Sequence, residues 1–277
     1  MCQPSSIETT GSVARSIVRH TREDARGSTD VVVEELPVAL VFNGISHAVM
    51  MATPTDLELF ALGFALSEGI VERASDVFDS EAVIHPDSAE VRLTISQQAF
   101  MALKGKRRAL AGRSGCGVCG IESIQLLDLY PDRLHDASAA HYIAARAVSR
   151  AAHHLPAHQR LMRETGGAHA AAWCSTDGAL LRVFEDVGRH NALDKLIGYL
   201  ARERADTVAG FVFLSSRASY ELVRKAARFQ ISTLATISAP TSLAISVAQR
   251  AGIRLLSFCR GDGFVEYVTP NATLSGS

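Results

Sequence analysis

No run of eighteen apolar residues occurs anywhere in this 277-residue chain, which excludes a membrane-spanning helix of ordinary length. Residues 1–29 are polar and charged and lack the apolar core of a secretion signal, so a disordered tail is expected there, with Cys2 incidental to it. Charge of either sign is not in excess: the formal net charge is -1, which argues against a general nucleic-acid binder. Cysteine is scarce. Five residues, an odd number without framework spacing, exclude a disulfide-stapled fold and point to a reducing compartment, the cytoplasm. No Gly-x-Gly-x-x-Gly follows a predicted strand and no Walker loop is present, which argues against ordinary NAD or ATP use. What remains is a composition of 47% hydrophobic and 21% charged residues, that of a globular protein long enough for two domains and a sizeable core.

Against this background one stretch stands out, Gly112-Arg113-Ser114-Gly115-Cys116-Gly117-Val118-Cys119-Gly120. Glycine brackets both cysteines and frees the backbone for positive φ, so the segment reads as a mobile loop that offers its thiols. Between Glu90 and Glu122 there is no acidic residue, while Arg92, Lys104, Lys106, Arg107, Arg108 and Arg113 all lie there. Positive charge near a thiol favours the nucleophilic thiolate. Structural zinc would need four ligands, and Cys2, Cys174 and Cys259 stand alone while His153, His154 and His158 form only a loose cluster. A thioredoxin-like pair would open a helix, which each interior glycine disfavours by about 1 kcal/mol. Carriage of sulfur as a persulfide suits an exposed, low-pKa cysteine in such a loop best. Residue types alone leave the redox and carrier readings both open.

The pattern predicts an α/β protein in two parts. A small α+β domain spans 30–136 and carries the Cys-x-x-Cys loop within 104–120. Residues 31–42 read as strand, break, strand, and Asn43-Gly44 as a hairpin turn. Leu57, Phe60, Ala61 and Phe64 recur at helical spacing and predict an amphipathic helix over 56–68. Strands follow at 81–85 and 90–96, then a short helix over 97–103. The second domain spans 137–277. It begins with a helix over 138–154 and strands at 168–174 and 180–185, with Cys174 a small core residue. Beyond residue 208 strands and helices alternate strictly, which predicts right-handed crossovers and a largely parallel sheet.

Two groups of polar residues in this second part invite a chemical reading. Glu185-Asp186-Val187-Gly188-Arg189-His190-Asn191 precedes a helix that Asn191 can cap, with Asp194 in its first turn. Capping accounts for Asn191 and Asp194 but leaves Asp186, Arg189 and His190 as candidate site residues. The loops at the carboxyl ends of the strands hold Ser215, Ser216, Arg217, Ser238, Thr241, Arg260 and two helix N-termini. Ligands of such sheets bind there, and helix N-termini with arginines suit a phosphate-bearing ligand. Capping by Ser216 and Thr241 is the plainer account, but it does not explain Arg217 and Arg260 in equivalent loops.

Five segments carry a family resemblance in order: 51–57 (Met-Ala-Thr-Pro-Thr-Asp-Leu) with 63–69 (Gly-Phe-Ala-Leu-Ser-Glu-Gly), 116–120 (Cys-Gly-Val-Cys-Gly), 165–169 (Thr-Gly-Gly-Ala-His), 185–195 (Glu-Asp-Val-Gly-Arg-His-Asn-Ala-Leu-Asp-Lys) and 238–244 (Ser-Ala-Pro-Thr-Ser-Leu-Ala). Over residues 31–268 the chain resembles the formate dehydrogenase accessory sulfurtransferases, the FdhD family. The resemblance implies a sulfur carrier that takes sulfur from a cysteine desulfurase as a persulfide. It passes that sulfur to the molybdenum bis(guanine dinucleotide) cofactor before the cofactor enters formate dehydrogenase. It further implies Cys116 as the persulfide carrier with Cys119 as its partner, and Phe258, Cys259, Arg260, Gly261, Asp262 and Gly263 as the cofactor-binding segment. A cytidine-deaminase-like second domain and a homodimer are implied as well. The zinc signature of the deaminases, Pro-Cys-x-x-Cys with an upstream His-x-Glu, is absent, so no metal site and no deamination are expected. Asp262 is the awkward residue, an acid beside a phosphate site, although it could instead accept from a guanine edge. The rival expectations are a cofactor-binding chaperone without sulfur transfer and a thiol–disulfide oxidoreductase.

Overall fold

The structure, a computed structural model, describes residues 9–109, 133–135 and 143–269. The tail expected over 1–29 is, from Ser12 onward, a β-ribbon. Strands β1 (Ser12–His20) and β2 (Ala25–Val33) pair antiparallel from Ser12↔Val33 to His20↔Ala25. Its turn closes through Thr21, whose N–H donates to Asp24 O at 2.8 Å and whose hydroxyl accepts from Asp24 N at 3.1 Å. Most of its side chains are exposed. The polar composition that suggested disorder is therefore the surface of a ribbon solvated on both faces.

The first sheet has the order β4-β3-β6-β5, from β3 (Leu36–Phe42), β4 (Ile45–Ala52), β5 (Val77–His85) and β6 (Ser88–Ile95). Asn43 and Gly44 turn β3 into β4 with φ of 47° and 78°, the left-handed pair that a two-residue hairpin demands. Helix α1 (Leu57–Ser67) follows, and α2 (Gln97–Ala109) runs longer than the short helix expected at 97–103. Helix α1 is not amphipathic. Leu57, Leu59, Phe60, Ala61, Gly63, Phe64, Ala65, Leu66 and Ser67 are all buried, because the helix has protein on every side.

The second sheet has the order β12-β11-β10-β9-β7-β8. It comprises β7 (His169–Ser175), β8 (Leu180–Asp186), β9 (Gly210–Leu214), β10 (Thr233–Thr236), β11 (Arg254–Arg260) and β12 (Gly263–Val268). Only the pairs β9–β10 and β10–β11 are parallel; β7 inserts antiparallel between β9 and β8, and β12 returns antiparallel along β11. The sheet is thus mixed, with a parallel centre, where a largely parallel one was expected. The hairpins β7–β8 and β11–β12 are the reason, since tight turns can join only antiparallel strands. Helix α3 (Ala145–His158) covers one face, packed with Ala170, Ala172, Phe211 and Phe213. Helix α4 (Arg160–Thr165) leads into β7. Helices α5 (Arg189–Arg202), α6 (Tyr220–Arg228) and α7 (Ser242–Ala251) cover the other face. No helix among the described residues is long and apolar enough to cross a membrane.

The two sheets share one core through the crossing of α1 and α5. The crossing is close because both helices place glycine there. A Cβ added to Gly63 would lie 1.7 Å from Asp194 O, and one added to Gly198 would lie 2.0 Å from Leu59 O. Two buried lysines of the second part close the same seam. Lys195 Nζ lies 2.7 Å from Asp186 Oδ2, both side chains fully buried, and donates to Thr53 O at 3.1 Å. Lys225 Nζ reaches Asp194 at 2.9 Å, Glu68 at 2.7 Å and Ser67 Oγ at 2.8 Å. Burial alone would raise the Glu68 carboxyl, but Lys225 and Arg224 outweigh it and hold the group down at about 2. The same carboxylates keep Lys225 above its usual range despite its burial.

Two outcomes follow from the seam. Gly198→Ala should destabilise the fold by about 3 kcal/mol, since a backbone carbonyl cannot yield like a side chain; a urea melt that leaves the midpoint unmoved contradicts the close crossing. The pH dependence has a definite sign. Glu68 ionises in the fold well below its ordinary 4.5, so its contribution is present above that value and is lost as pH falls toward about 2. His190 is held at about 4, below its ordinary 6.5, by burial and by Arg189, so it adds a loss between those two values. The urea midpoint should therefore fall as pH drops below 6.5, most steeply between 4.5 and about 4, where the two losses overlap.

Candidate functional site

The expected persulfide pair, Cys116 and Cys119, lies outside the described residues. Of the five cysteines, Cys174 and Cys259 are described, and both are free and buried. Burial pushes the Cys174 thiol far up and the Cys259 thiol up to about 11. Neither supplies a thiolate at neutral pH. Cys174 is the core residue expected from its strand, and Cys259 contributes packing rather than a thiolate.

The expected cofactor segment forms the end of β11 and the turn into β12. Strand register slips between Ser257 and Arg260, and Phe258 takes a φ of 55° there. A bulky residue in the left-handed region is strained. Here the strain sets the Phe258 ring outward, 39% exposed, while Cys259 points into the core at 1%. Arg260, Gly261, Asp262 and Gly263 are all exposed. The ring of Phe258 lies 6.5 Å from that of Tyr267.

This turn is bound to its neighbours at the carboxyl edge of the sheet. Arg260 Nε donates to Ile237 O at 2.9 Å, and Phe258 N to Ser238 O at 3.4 Å. Thr236 and Ser257 join hydroxyl to hydroxyl at 2.8 Å beneath them. The next loop is joined in turn by the bridge Ala218↔Pro240 and by Thr241 N donating to Ala218 O at 3.0 Å. Ser215 Oγ then accepts from Ala170 N at 2.7 Å. Three loops from successive strands thus form one continuous polar edge, with Arg217 and Arg260 exposed along it. Thr241 does cap α7, accepting from Ala244 N at 3.2 Å. Ser216 caps no helix among the described residues; its hydroxyl donates to Arg217 O.

The segment before α5 divides into two roles. Asn191 does not cap the helix: Gly188 holds that position, and Asn191 donates to Met51 O at 2.8 Å and Asp186 Oδ1 at 3.0 Å. Asp186 is fully buried and also accepts from Thr53 N at 3.1 Å and Gly188 N at 2.8 Å. With Lys195 these bonds make it part of the seam. Asp194, expected as a first-turn charge, is likewise buried against Lys225 and Ser67. Arg189 and His190 remain half-buried at the end of β8. Arg189 Nε and His190 Nε2 have no hydrogen-bond partner among the described residues, and His190 Nε2 stands 3.8 Å from Glu221 Oε2. Sequence reasoning missed that Lys195 and Lys225 are buried. The available sign was Gly63 and Gly198, since a glycine inside a helix costs about 1 kcal/mol against alanine and points to a close approach.

No group of three or more metal-ligating side chains occurs among the described residues. Residues 33–274 match the FdhD/NarQ family. A protein of Burkholderia mallei named sulfur carrier protein FdhD is 62% identical over 268 residues, covering 95% of this chain and 98% of the relative. Its namesake in Burkholderia cenocepacia is 66% identical over 244 residues, 87% and 88% of the two chains. A solved structure from Desulfotalea psychrophila, described as a formate dehydrogenase accessory protein, superposes with a TM-score of 0.70 over 94% of this chain and 97% of its own. At 21% identity that likeness supports the fold alone. With the family matched over most of its length and relatives above 60% identity, the chain belongs to the FdhD/NarQ family.

Proposed function

We propose that this protein carries sulfur to the molybdenum bis(guanine dinucleotide) cofactor for formate dehydrogenase. Cys116 thiolate attacks the outer sulfur of a cysteine desulfurase persulfide. One S–S bond forms at Cys116 as the desulfurase S–S bond breaks, and the desulfurase cysteine leaves as its thiolate. Cys119 assists release or receives the sulfur in turn. The acceptor cofactor sits on the polar edge of the second sheet, in a cytidine-deaminase-like half of the chain. Phe258 offers a flat face to a base, and Arg217 and Arg260 face its phosphates. The protein works as a homodimer in the cytoplasm, where thiols stay reduced.

The observation that carries this reading is the joined edge ending in Phe258–Gly263 on a chain whose relatives are named sulfur carriers. Burial of Cys174 and Cys259 supports it from another side, because it leaves the carrier role to cysteines other than these two. The test is mass spectrometry after incubation with desulfurase and cysteine. The wild-type chain should gain sulfur at Cys116, and Cys116→Ala should lose both the added sulfur and the activation of formate dehydrogenase. A Cys116→Ala protein that still gains sulfur at Cys119 and still activates would contradict the assignment.

A further inference from the structure

A groove of about 640 Å³ runs between helix α3 and the turn that joins β11 to β12. Arg146, Ser149, Arg150, His153 and His154 line one wall, and Asp262 lines the other. The four basic side chains lie on three successive turns of one helix and span about 12 Å along its axis. All four are exposed. Arg150 is held in place by Asp177 through Nη1. The opposing acids at the groove are thus Asp177, already paired, and Asp262. A volume of this size accepts a nucleotide-sized group, and Arg146 together with the donors of Ser149, His153 and His154 offers several partners to the oxygens of a pyrophosphate, more than a single carboxylate could use.

Placement links the groove to the polar edge. Asp262 follows Arg260 and Gly261 in the same turn, so the groove begins where the edge loops end. Helix α3 lies on the face of the second sheet opposite α6 and α7. An extended ligand seated on the edge and folded over the hairpin tip would bring its anionic part against α3. We infer that the α3 groove is a pyrophosphate subsite, filled by a phosphate-bearing arm of the ligand whose remainder lies on the edge loops. The inference rests on the proposed nucleotide-bearing acceptor and adds the residues that hold its second anionic part. Arg146 supplies the charge, and Ser149, His153 and His154 supply hydrogen-bond donors. Asp262 opposes the ligand's charge and limits how tightly it is retained, which suits a carrier that must release its guest.

The test uses the full chain, with inorganic pyrophosphate and guanosine diphosphate titrated calorimetrically into wild type, Arg146→Ala/His154→Ala, Asp262→Asn and Arg260→Ala. These side chains are exposed, and far-ultraviolet circular dichroism checks that each variant is folded. Wild type should bind pyrophosphate, more weakly as salt is added. The α3 double variant should bind it at least about tenfold more weakly, the loss expected for removing charge-assisted contacts, while Asp262→Asn should bind it more tightly. If guanosine diphosphate binds wild type and the α3 double variant equally, and only Arg260→Ala weakens it, the groove is not a subsite although the edge still is. If Asp262→Asn weakens pyrophosphate binding, the assigned role of that carboxylate is overturned. If wild type binds neither probe, the nucleotide-bearing acceptor itself fails.

Discussion

Two helices meet backbone to backbone, and the remainder of the molecule is arranged around that contact. Gly63 on α1 and Gly198 on α5 remove the side chains that would hold the helices apart. The surrounding carbonyls come close enough for Lys195 to bond Thr53 O and Glu185 O while paired to Asp186. A buried ion pair is not a cheap source of stability, because desolvation cancels much of the attraction. Its effect is to specify one arrangement: neither Lys195 nor Asp186 could be left alone in the core, and only this crossing satisfies both. Lys225 repeats the device one layer away, with Asp194, Glu68 and Ser67 as its partners.

The seam also aims the edge. Asp186 ends β8, and its carboxylate receives Gly188 N and Asn191 Nδ2. The chain must therefore turn sharply into α5, which leaves Arg189 and His190 half-buried at the start of that helix. From there the loops after β9, β10 and β11 are joined each to the next by backbone bonds. A ligand on the edge meets loops already organised by the core, and little of its binding energy is spent on ordering them. Both halves of the molecule contribute to this arrangement, since Met51 of β4 and Thr53 just beyond its end bond directly to Asn191 and Asp186.

Much of this was legible in the residues. Asn43-Gly44 announced its hairpin, and the alternation beyond residue 208 announced β9, β10 and β11 with their crossover helices, because local rules govern both. The failures have a common cause, which is that tertiary partners leave no local trace. The apolar spacing of helix α1 is regular and reads as amphipathic, yet Leu59 and Leu66 on its other side are buried as well. The polar residues of the ribbon β1–β2 face water on both sides, so its sequence reads as a tail. Asp194 and Asn191 read as capping residues because helix starts favour those types, although their partners lie on α1, α6 and β4. Of the candidate site, the segment from Phe258 to Gly263 was found by resemblance. That Cys259 turns inward was not readable, since it depends on the register slip and the left-handed Phe258.

If the seam is the controlling constraint, the two sheets cannot open separately. Native-state hydrogen exchange measures this directly. The slowest amides of β3 and β6 and those of β9 and β10 should exchange through the same global opening, with equal free energies and equal sensitivity to denaturant. Exchange of the β3 and β6 amides through a smaller opening, while β9 and β10 stay protected, would show that the halves come apart on their own and would contradict the account.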